Sequence, residues 1–248
     1  MKPLFAFIKK ELTEALRGGK LYILLAIFVL FGLMNPILVQ LTPLMMDMLS
    51  ESLSQAGINL GEIPVNATAS WAQFFKNIPM ALIVFVVLGG NTFTKEYQRG
   101  TLVLLLTKGL KRSHAVIAKT LVLILGWTAG YFLCFGITYA YNQVVWGNSE
   151  LLFLTEAVLA WWLAGVFAMA AVVFFSALFK STVLVLLGTG GCFAVSYLLS
   201  IIPFVNEWLP TALMSVASDD IIKPVAVTVT LSLAMLISAV PIINKKEI

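Results

Sequence analysis

Residues 152–179 read LFLTEAVLAWWLAGVFAMAAVVFFSALF and include a single charged residue, Glu156. A helix crosses the hydrocarbon core of a bilayer with about 20 apolar residues, so this run is long enough to cross it and to tilt. Glu156 stands near one end, where its carboxylate can reach the headgroups. Because lipid offers the backbone no hydrogen-bond partners, the run is predicted to be an α-helix.

Five further apolar runs of similar length surround this one. The chain is 60 % hydrophobic and 11 % charged, whereas soluble domains carry about 25 % charged residues. This pattern predicts an all-α polytopic membrane protein, one transmembrane domain over residues 1–248 with six spans. The other five spans are predicted at about 21–41, 72–93, 120–141, 183–203 and 224–243.

The charges are distributed unequally between the two sides that six spans define. The N-terminal segment, residues 94–119, Lys180 and the C-terminal tail hold fourteen of the sixteen Lys and Arg residues, while eight of the twelve acids fall on the opposite side. The positive-inside rule therefore places both termini and the 94–119 loop in the cytoplasm. The net charge of +4 is interpreted as reporting this orientation, and no nucleic-acid partner is expected.

Residues 1–19 are predicted to form an amphipathic helix that lies in the membrane interface, with lipid as its partner. Gly18 and Gly19 end this helix. Phe7 and Glu11 fit neither face well. The apolar face is predicted to hold Leu4, Phe5, Ile8, Leu12, Ala15 and Leu16, and the polar face Lys2, Lys9, Lys10, Thr13, Glu14 and Arg17.

Short motifs predict local features of the other segments. Thr42 is expected to cap a separate short amphipathic helix that ends at Gly57, and a second short helix is expected near 209–216. Gly126 and Gly130 are four residues apart in the third span, a spacing that lets two helices approach closely, although chance explains it equally well.

The spans lack the groups that most membrane chemistry requires. No Asp, Glu, Lys or Arg lies in the middle of a predicted span, and such groups usually mark ion paths or catalysis. The single histidine, His114, cannot form a metal site alone. Residues 188–191 lack the Lys-Ser/Thr ending of a phosphate-binding loop. The chain is therefore expected to bind no cofactor, and energy for transport would have to come from another chain.

The 94–119 loop has an unusual composition for a cytoplasmic connection. It carries six basic residues around the apolar run 102–106, which is far too short to cross a bilayer. A short helix over roughly 97–108 is expected to end at Gly109, and Ser113 is expected to cap the helix of the third span. The apolar run either covers the underside of the chain itself or docks into a partner; both are compatible.

The order of residues in this loop resembles the membrane subunits of ABC-type exporters, in particular the six-span type 2 permeases. Glu96, then Gly100-Thr101, the run 102–106 and the basic residues up to Lys119 follow the pattern of their first cytoplasmic loop, although Gly109 stands where many members have Pro. The resemblance implies coupling to an ATPase through Glu96, Tyr97, Gln98, Arg99, Gly100, Thr101, Leu102, Leu104, Leu105, Thr107 and Lys108.

The resemblance also implies partners and a reaction. Two cytosolic ABC ATPase subunits would bind ATP and Mg²⁺, and a second copy or a related permease chain would complete the transport path. An uncharged path suits an amphipathic or lipophilic substrate such as a peptide, antibiotic or drug. The alternatives are a non-transporting immunity or scaffold protein and an intramembrane enzyme. The aromatic candidates for the path are Phe85, Phe93, Trp127, Tyr131, Tyr139 and Trp162.

Overall fold

The structure is a computed structural model, and it describes residues 2–55, 64–91, 94, 112–147, 151–215 and 221–245. Within these ranges the chain forms helices and connecting turns, and no strand. The long helices are α1 (Lys2–Arg17), α2 (Lys20–Gln55), α3 (Ala67–Gly89), α4 (Arg112–Val145), α5 (Leu151–Leu178), α6 (Thr182–Leu199) and α8 (Ile222–Lys245). Between the last two lie the short α7 (Pro203–Asn206) and a 3₁₀ helix (Pro210–Met214).

Six of these helices, namely α2 to α6 and α8, are long and apolar enough to cross a membrane. The predictions of an all-helical fold and of six spans are therefore confirmed. Among the six, α5 is the most buried and α6 the least. Many of the fully buried residues of α5 are alanine or valine, for example Ala164, Ala168 and Val172. Small side chains at such positions allow neighbouring helices to approach closely.

The prediction of a separate helix capped by Thr42 is wrong. Helix α2 continues to Gln55 through Pro36 and Pro43, and the Thr42 hydroxyl donates to the Leu38 carbonyl one turn earlier. A Thr hydroxyl that is satisfied inside a helix does not mark its start. Long apolar helices tolerate proline because neighbouring groups replace the lost hydrogen bond.

The start of the third spanning helix also differs from expectation. Helix α4 begins at Arg112, so Ser113 is a helical residue and does not cap the helix. Residues 112–119, which were assigned to the cytoplasmic loop, form the first two turns of α4. The short element expected near 209–216 is present as the 3₁₀ helix, whose Leu213 is buried against Ala160 and Ala164 of α5.

The chain divides into two compact units. One comprises Met1–Leu21, Ile83–Thr128 and Leu152–Ile248, and the other Tyr22–Leu82 and Ala129–Leu151. We call these the large unit and the small unit. The core of the large unit contains Trp127, which is fully buried and lies edge-on to Phe85. The core of the small unit is an aromatic cluster of Trp71, Phe74, Tyr131 and Phe135.

Candidate functional site

The eleven residues predicted to couple the chain to an ATPase lie between positions 96 and 108, outside the described residues. The structure does describe the residues on either side of this segment, Thr94 and Arg112. Together with α1, these two positions define what we call the base of the large unit.

Thr94 attaches the N-terminal side of the segment to α6. Its side chain is fully buried, and its Oγ1 lies 2.7 Å from Oγ1 of Thr182, the first residue of α6. A hydroxyl can both donate and accept, so either oxygen can supply the proton. The bond places the start of the segment at the beginning of a spanning helix.

Arg112 attaches the C-terminal side of the segment to α8. Its Nη1 donates to the Ile243 carbonyl over 2.7 Å, and Ile243 lies in the last turn of α8. The carbonyls at a helix C-terminus carry partial negative charge, so a guanidinium is stabilised there. The contact therefore holds the start of α4 against the end of α8.

Helix α1 packs against the first turns of α4. Phe7 is buried in a cluster with Ala115 and Ala118, and Leu4 and Ile8 border this cluster. Burying a side chain as large as Phe contributes about 1.5–3 kcal/mol. The small alanines let the two helices approach closely enough for polar side chains beyond the cluster to meet.

A buried ion pair completes this contact. Lys119 Nζ lies 2.8 Å from Glu11 Oε2, and the two side chains are 2 % and 8 % exposed. The other carboxylate oxygen of Glu11 accepts from Lys10 Nζ at 2.9 Å, and the Lys119 ammonium stands 5.9 Å from the Phe7 ring centre. Buried charges persist only when they are paired and hydrogen-bonded, and both oxygens of Glu11 meet this condition.

The predicted faces of α1 are not contradicted, and the structure adds a contact with α4 that those faces did not include. Phe5, Leu12 and Leu16 of the predicted apolar face are exposed, whereas Phe7 and Glu11, the two residues that fitted neither face, are buried against α4. Their poor fit to either face was the available sequence signal, and it did not identify a partner. For Lys119 the sequence gave no indication of burial, because it is one of six basic residues in the 94–119 loop.

A second polar cluster lies inside the small unit and consists of uncharged side chains, which a sequence criterion based on Asp, Glu, Lys and Arg does not include. Asn77 Nδ2 donates to Asn35 Oδ1 over 2.8 Å, and Asn35 Nδ2 donates to Thr138 Oγ1 over 3.1 Å. The Thr138 hydroxyl in turn donates to the Gly32 carbonyl over 2.9 Å. The chain of bonds joins α2, α3 and α4, and these side chains are all buried.

We expect Asn35→Leu to destabilise the protein by about 1–2 kcal/mol, the range found in model peptides for polar contacts between membrane helices. Asn35 is the centre of the chain, so its loss removes two bonds and leaves buried polar atoms on Asn77 and Thr138. Thermal unfolding of the purified protein measures the effect. Gln40→Leu removes one exposed hydrogen bond, which the side-chain oxygen of Gln40 accepts from the Tyr141 hydroxyl. It is therefore the control for burial, and equal shifts for the two variants would contradict the role of the cluster.

The two glycines predicted to bring helices together have different surroundings. A Cβ at Gly130 would overlap the ring of Phe28, whereas a Cβ at Gly126 would lie 3.4 Å from the Phe85 ring, an ordinary contact. Gly130 therefore lies where no side chain fits beside Phe28, while Gly126 leaves room for a methyl group.

The aromatic side chains considered for a transport path are mostly inside the units. Phe85, Trp127 and Tyr131 are buried, so in this conformation they are unavailable to line a path between two chains. Tyr139 and Trp162 are half-buried. Phe93 lies outside the described residues. Within the part of the chain that the structure describes, no group of three His, Cys, Asp or Glu side chains could hold a metal ion.

The six long apolar helices define a multi-pass membrane protein. The chain belongs to the ABC-2 family of transporter proteins, whose family model matches residues 5–219. Membrane subunits of this family are typically not catalytic, because the ABC ATPase is a separate chain.

A bacterial protein is similar to this chain over most of its length. The chain is 24 % identical to the uncharacterized transmembrane protein YxlG of Bacillus subtilis (strain 168) over 223 residues, which cover 85 % of this chain and 81 % of that protein. No solved structure matches the chain significantly.

Proposed function

We propose that this chain is the permease subunit of an ABC exporter and that ATPase subunits dock on the 94–119 loop. The observation that supports the proposal best is the anchoring of the loop at both ends. Thr94 is bonded to Thr182 at the start of α6, and Arg112 is bonded to the carbonyl of Ile243 at the end of α8.

This anchoring gives a route for mechanical coupling. A force on residues 95–111 would reach α6 through Thr94, and α4 and α8 through Arg112. It would also reach α1, because Glu11 is paired with Lys119 in the second turn of α4. Four helices of the large unit would therefore respond to one docking event, as a transporter driven from outside its membrane domain requires.

The orientation and the energy source belong to the same proposal. The distribution of Lys and Arg supports a cytoplasmic location for both termini and for the loop. ATP and Mg²⁺ would be bound by the ATPase subunits, and two permease chains would enclose the path. The low charge of the spans favours an amphipathic or lipophilic cargo, such as a peptide, antibiotic or drug.

Leu104→Glu is expected to abolish copurification of an ABC ATPase with this chain, while membrane insertion stays normal. A carboxylate in the apolar run 102–106 would have to be desolvated on docking, which costs several kcal/mol. The measurement is the amount of ATPase recovered with the tagged permease from membranes. Glu96→Ala/Arg99→Ala is expected to weaken recovery less, because those side chains are expected to orient the contact.

Val144→Glu is the matched control, since Val144 is 86 % exposed at the far end of α4 and lies outside the loop. It is expected to leave ATPase recovery unchanged. Full recovery of the ATPase with Leu104→Glu would contradict docking on the loop. Absence of any copurifying ATPase with the unmodified chain would favour the immunity or scaffold alternative.

A further inference from the structure

An apolar groove of about 410 Å³ runs along the outside of the large unit between α4 and α8. None of its lining residues makes one of the base contacts described above. Among the described residues that line it, Thr120 has the one polar side chain. The apolar side chains on which the inference rests are Val116, Ile117, Leu121, Leu125, Leu236 and Val240.

The length of the groove corresponds to one leaflet of a bilayer. From Val116 to Leu125 the helix rises about 14 Å at 1.5 Å per residue, and half of the hydrocarbon core is about 15 Å. Ile117, Leu121 and Leu125 are 46 %, 38 % and 50 % exposed, so the groove is open along its side. An apolar chain of one lipid leaflet can therefore enter it laterally.

A permanent positive charge lies about one helical turn beyond the end of the groove, outside its lining. Arg112 precedes Val116 by one helical turn on the same face of α4, and its bond to the Ile243 carbonyl places the guanidinium one turn beyond Val240 of α8. The guanidinium carries five N–H donors and remains charged whichever of them are used. Its fork geometry matches the oxygens of a phosphate group.

We propose that this groove binds an anionic phospholipid, with one acyl chain along α4 and α8 and the phosphate beside Arg112. Basic pockets between membrane helices bind anionic headgroups in this way. The charge beyond the end of the groove favours a phospholipid over an uncharged apolar molecule, and it favours phosphatidylglycerol over phosphatidylcholine. The proposal does not rest on the docking of an ATPase, although Arg112, Val116 and Ile117 belong to the 94–119 loop. Leu121 and Leu125 lie outside that loop, so substitutions there test the groove separately from the docking.

The test measures lipid binding to the purified full chain by native mass spectrometry. Phosphatidylglycerol or phosphatidylcholine with identical acyl chains is added to the detergent-solubilised protein, and bound lipid is counted. Leu121→Trp fills the groove, and Arg112→Gln removes the charge while keeping an N–H donor for the Ile243 carbonyl. Ile237→Trp, 70 % exposed on α8 and not part of the lining, controls for the added indole, and Lys180→Gln controls for the lost charge.

We expect Leu121→Trp to reduce binding of both lipids, and Arg112→Gln to reduce the preference for phosphatidylglycerol about fivefold, the effect of one basic residue at an anionic surface. Both controls should match the unmodified protein. Equal binding by Leu121→Trp and Ile237→Trp, or an unchanged preference in Arg112→Gln, would overturn the proposal.

Two further measurements distinguish a bound lipid from other occupants of the groove. Inorganic phosphate at millimolar concentration should not displace phosphatidylglycerol, because phosphate has no acyl chain to fill the groove. Displacement by phosphate would show that the site binds anions without requiring an acyl chain, and it would overturn the proposal. A change of oligomeric state in Leu121→Trp alone, with lipid binding intact, would assign the groove to a second copy and would also overturn it.

Discussion

Replacing Lys119 by Met is expected to lower the free energy of unfolding by about 3–5 kcal/mol, the effect of removing one partner of a buried ion pair. Glu11 is 8 % exposed, so its carboxylate would keep only Lys10 as an ionic partner among the contacts described above. The aliphatic stem of Lys119 is replaced by Met of similar length, so most of the loss is electrostatic. The measurement is thermal unfolding of the purified protein together with protease cleavage of α1.

Two comparisons make this expectation specific. The double variant Glu11→Gln/Lys119→Met should recover part of the loss, because it removes both charges from the buried site. Lys223→Met breaks an ion pair of similar length, 3.0 Å to Glu207, whose side chains are 37 % and 58 % exposed, and exposed pairs contribute about 1 kcal/mol or less. Similar losses for Lys119→Met and Lys223→Met would contradict the role of burial.

Replacing Gly165 by Ala is expected to destabilise the large unit by about 1–3 kcal/mol or more, the range for overpacked cores. A Cβ at Gly165 would overlap the indole of Trp127. That indole cannot move away easily, because it is fully buried and its Nε1 donates to the Trp162 carbonyl over 3.0 Å. Thermal unfolding and the yield of monodisperse protein measure the effect.

The opposite effect of an alanine substitution on stability is expected at Gly190, where a Cβ would meet nothing within 4 Å. There Ala should stabilise the helix, since glycine in a helix interior is about 1 kcal/mol less favourable than alanine. Gly165→Ala/Trp127→Leu should regain stability relative to Gly165→Ala because it removes the overlapping ring. Equal effects of alanine at Gly165 and Gly190 would show that helix propensity, and not the contact with Trp127, decides the outcome.

The spans could be predicted from the sequence because lipid acts as a uniform apolar solvent. A run such as 152–179 must be helical and must be long enough, and neither condition depends on its neighbours. At the ends of the spans, where the surroundings of a residue are not only lipid, the predicted helix boundaries were less accurate. Thr42 and Pro43 have the composition of a helix start, yet α2 continues through both, because the hydrogen bond of Thr42 lies inside the helix.

The polar contacts of the base were not predictable for a different reason. Glu11 and Lys119 are 108 residues apart, and nothing in the local sequence distinguishes a cation that pairs inside the protein from one that faces water. The contact requires Phe7 to pack on Ala115 and Ala118. The same reason applies to the cluster of Asn35, Asn77 and Thr138. These uncharged polar residues lie in three separate apolar runs, and only the packing of three helices brings them together.

The sequence by itself determined the membrane class, the six spans and the family resemblance carried by the 94–119 loop. These follow from composition, run length and residue order, which act within one segment at a time. Only the tertiary structure decided which face of α1 is buried, that Lys119 pairs with Glu11, and that Thr94 and Arg112 tie the loop to α6 and α8. Such contacts depend on distances between segments remote in sequence, and those distances are set by how the helices pack.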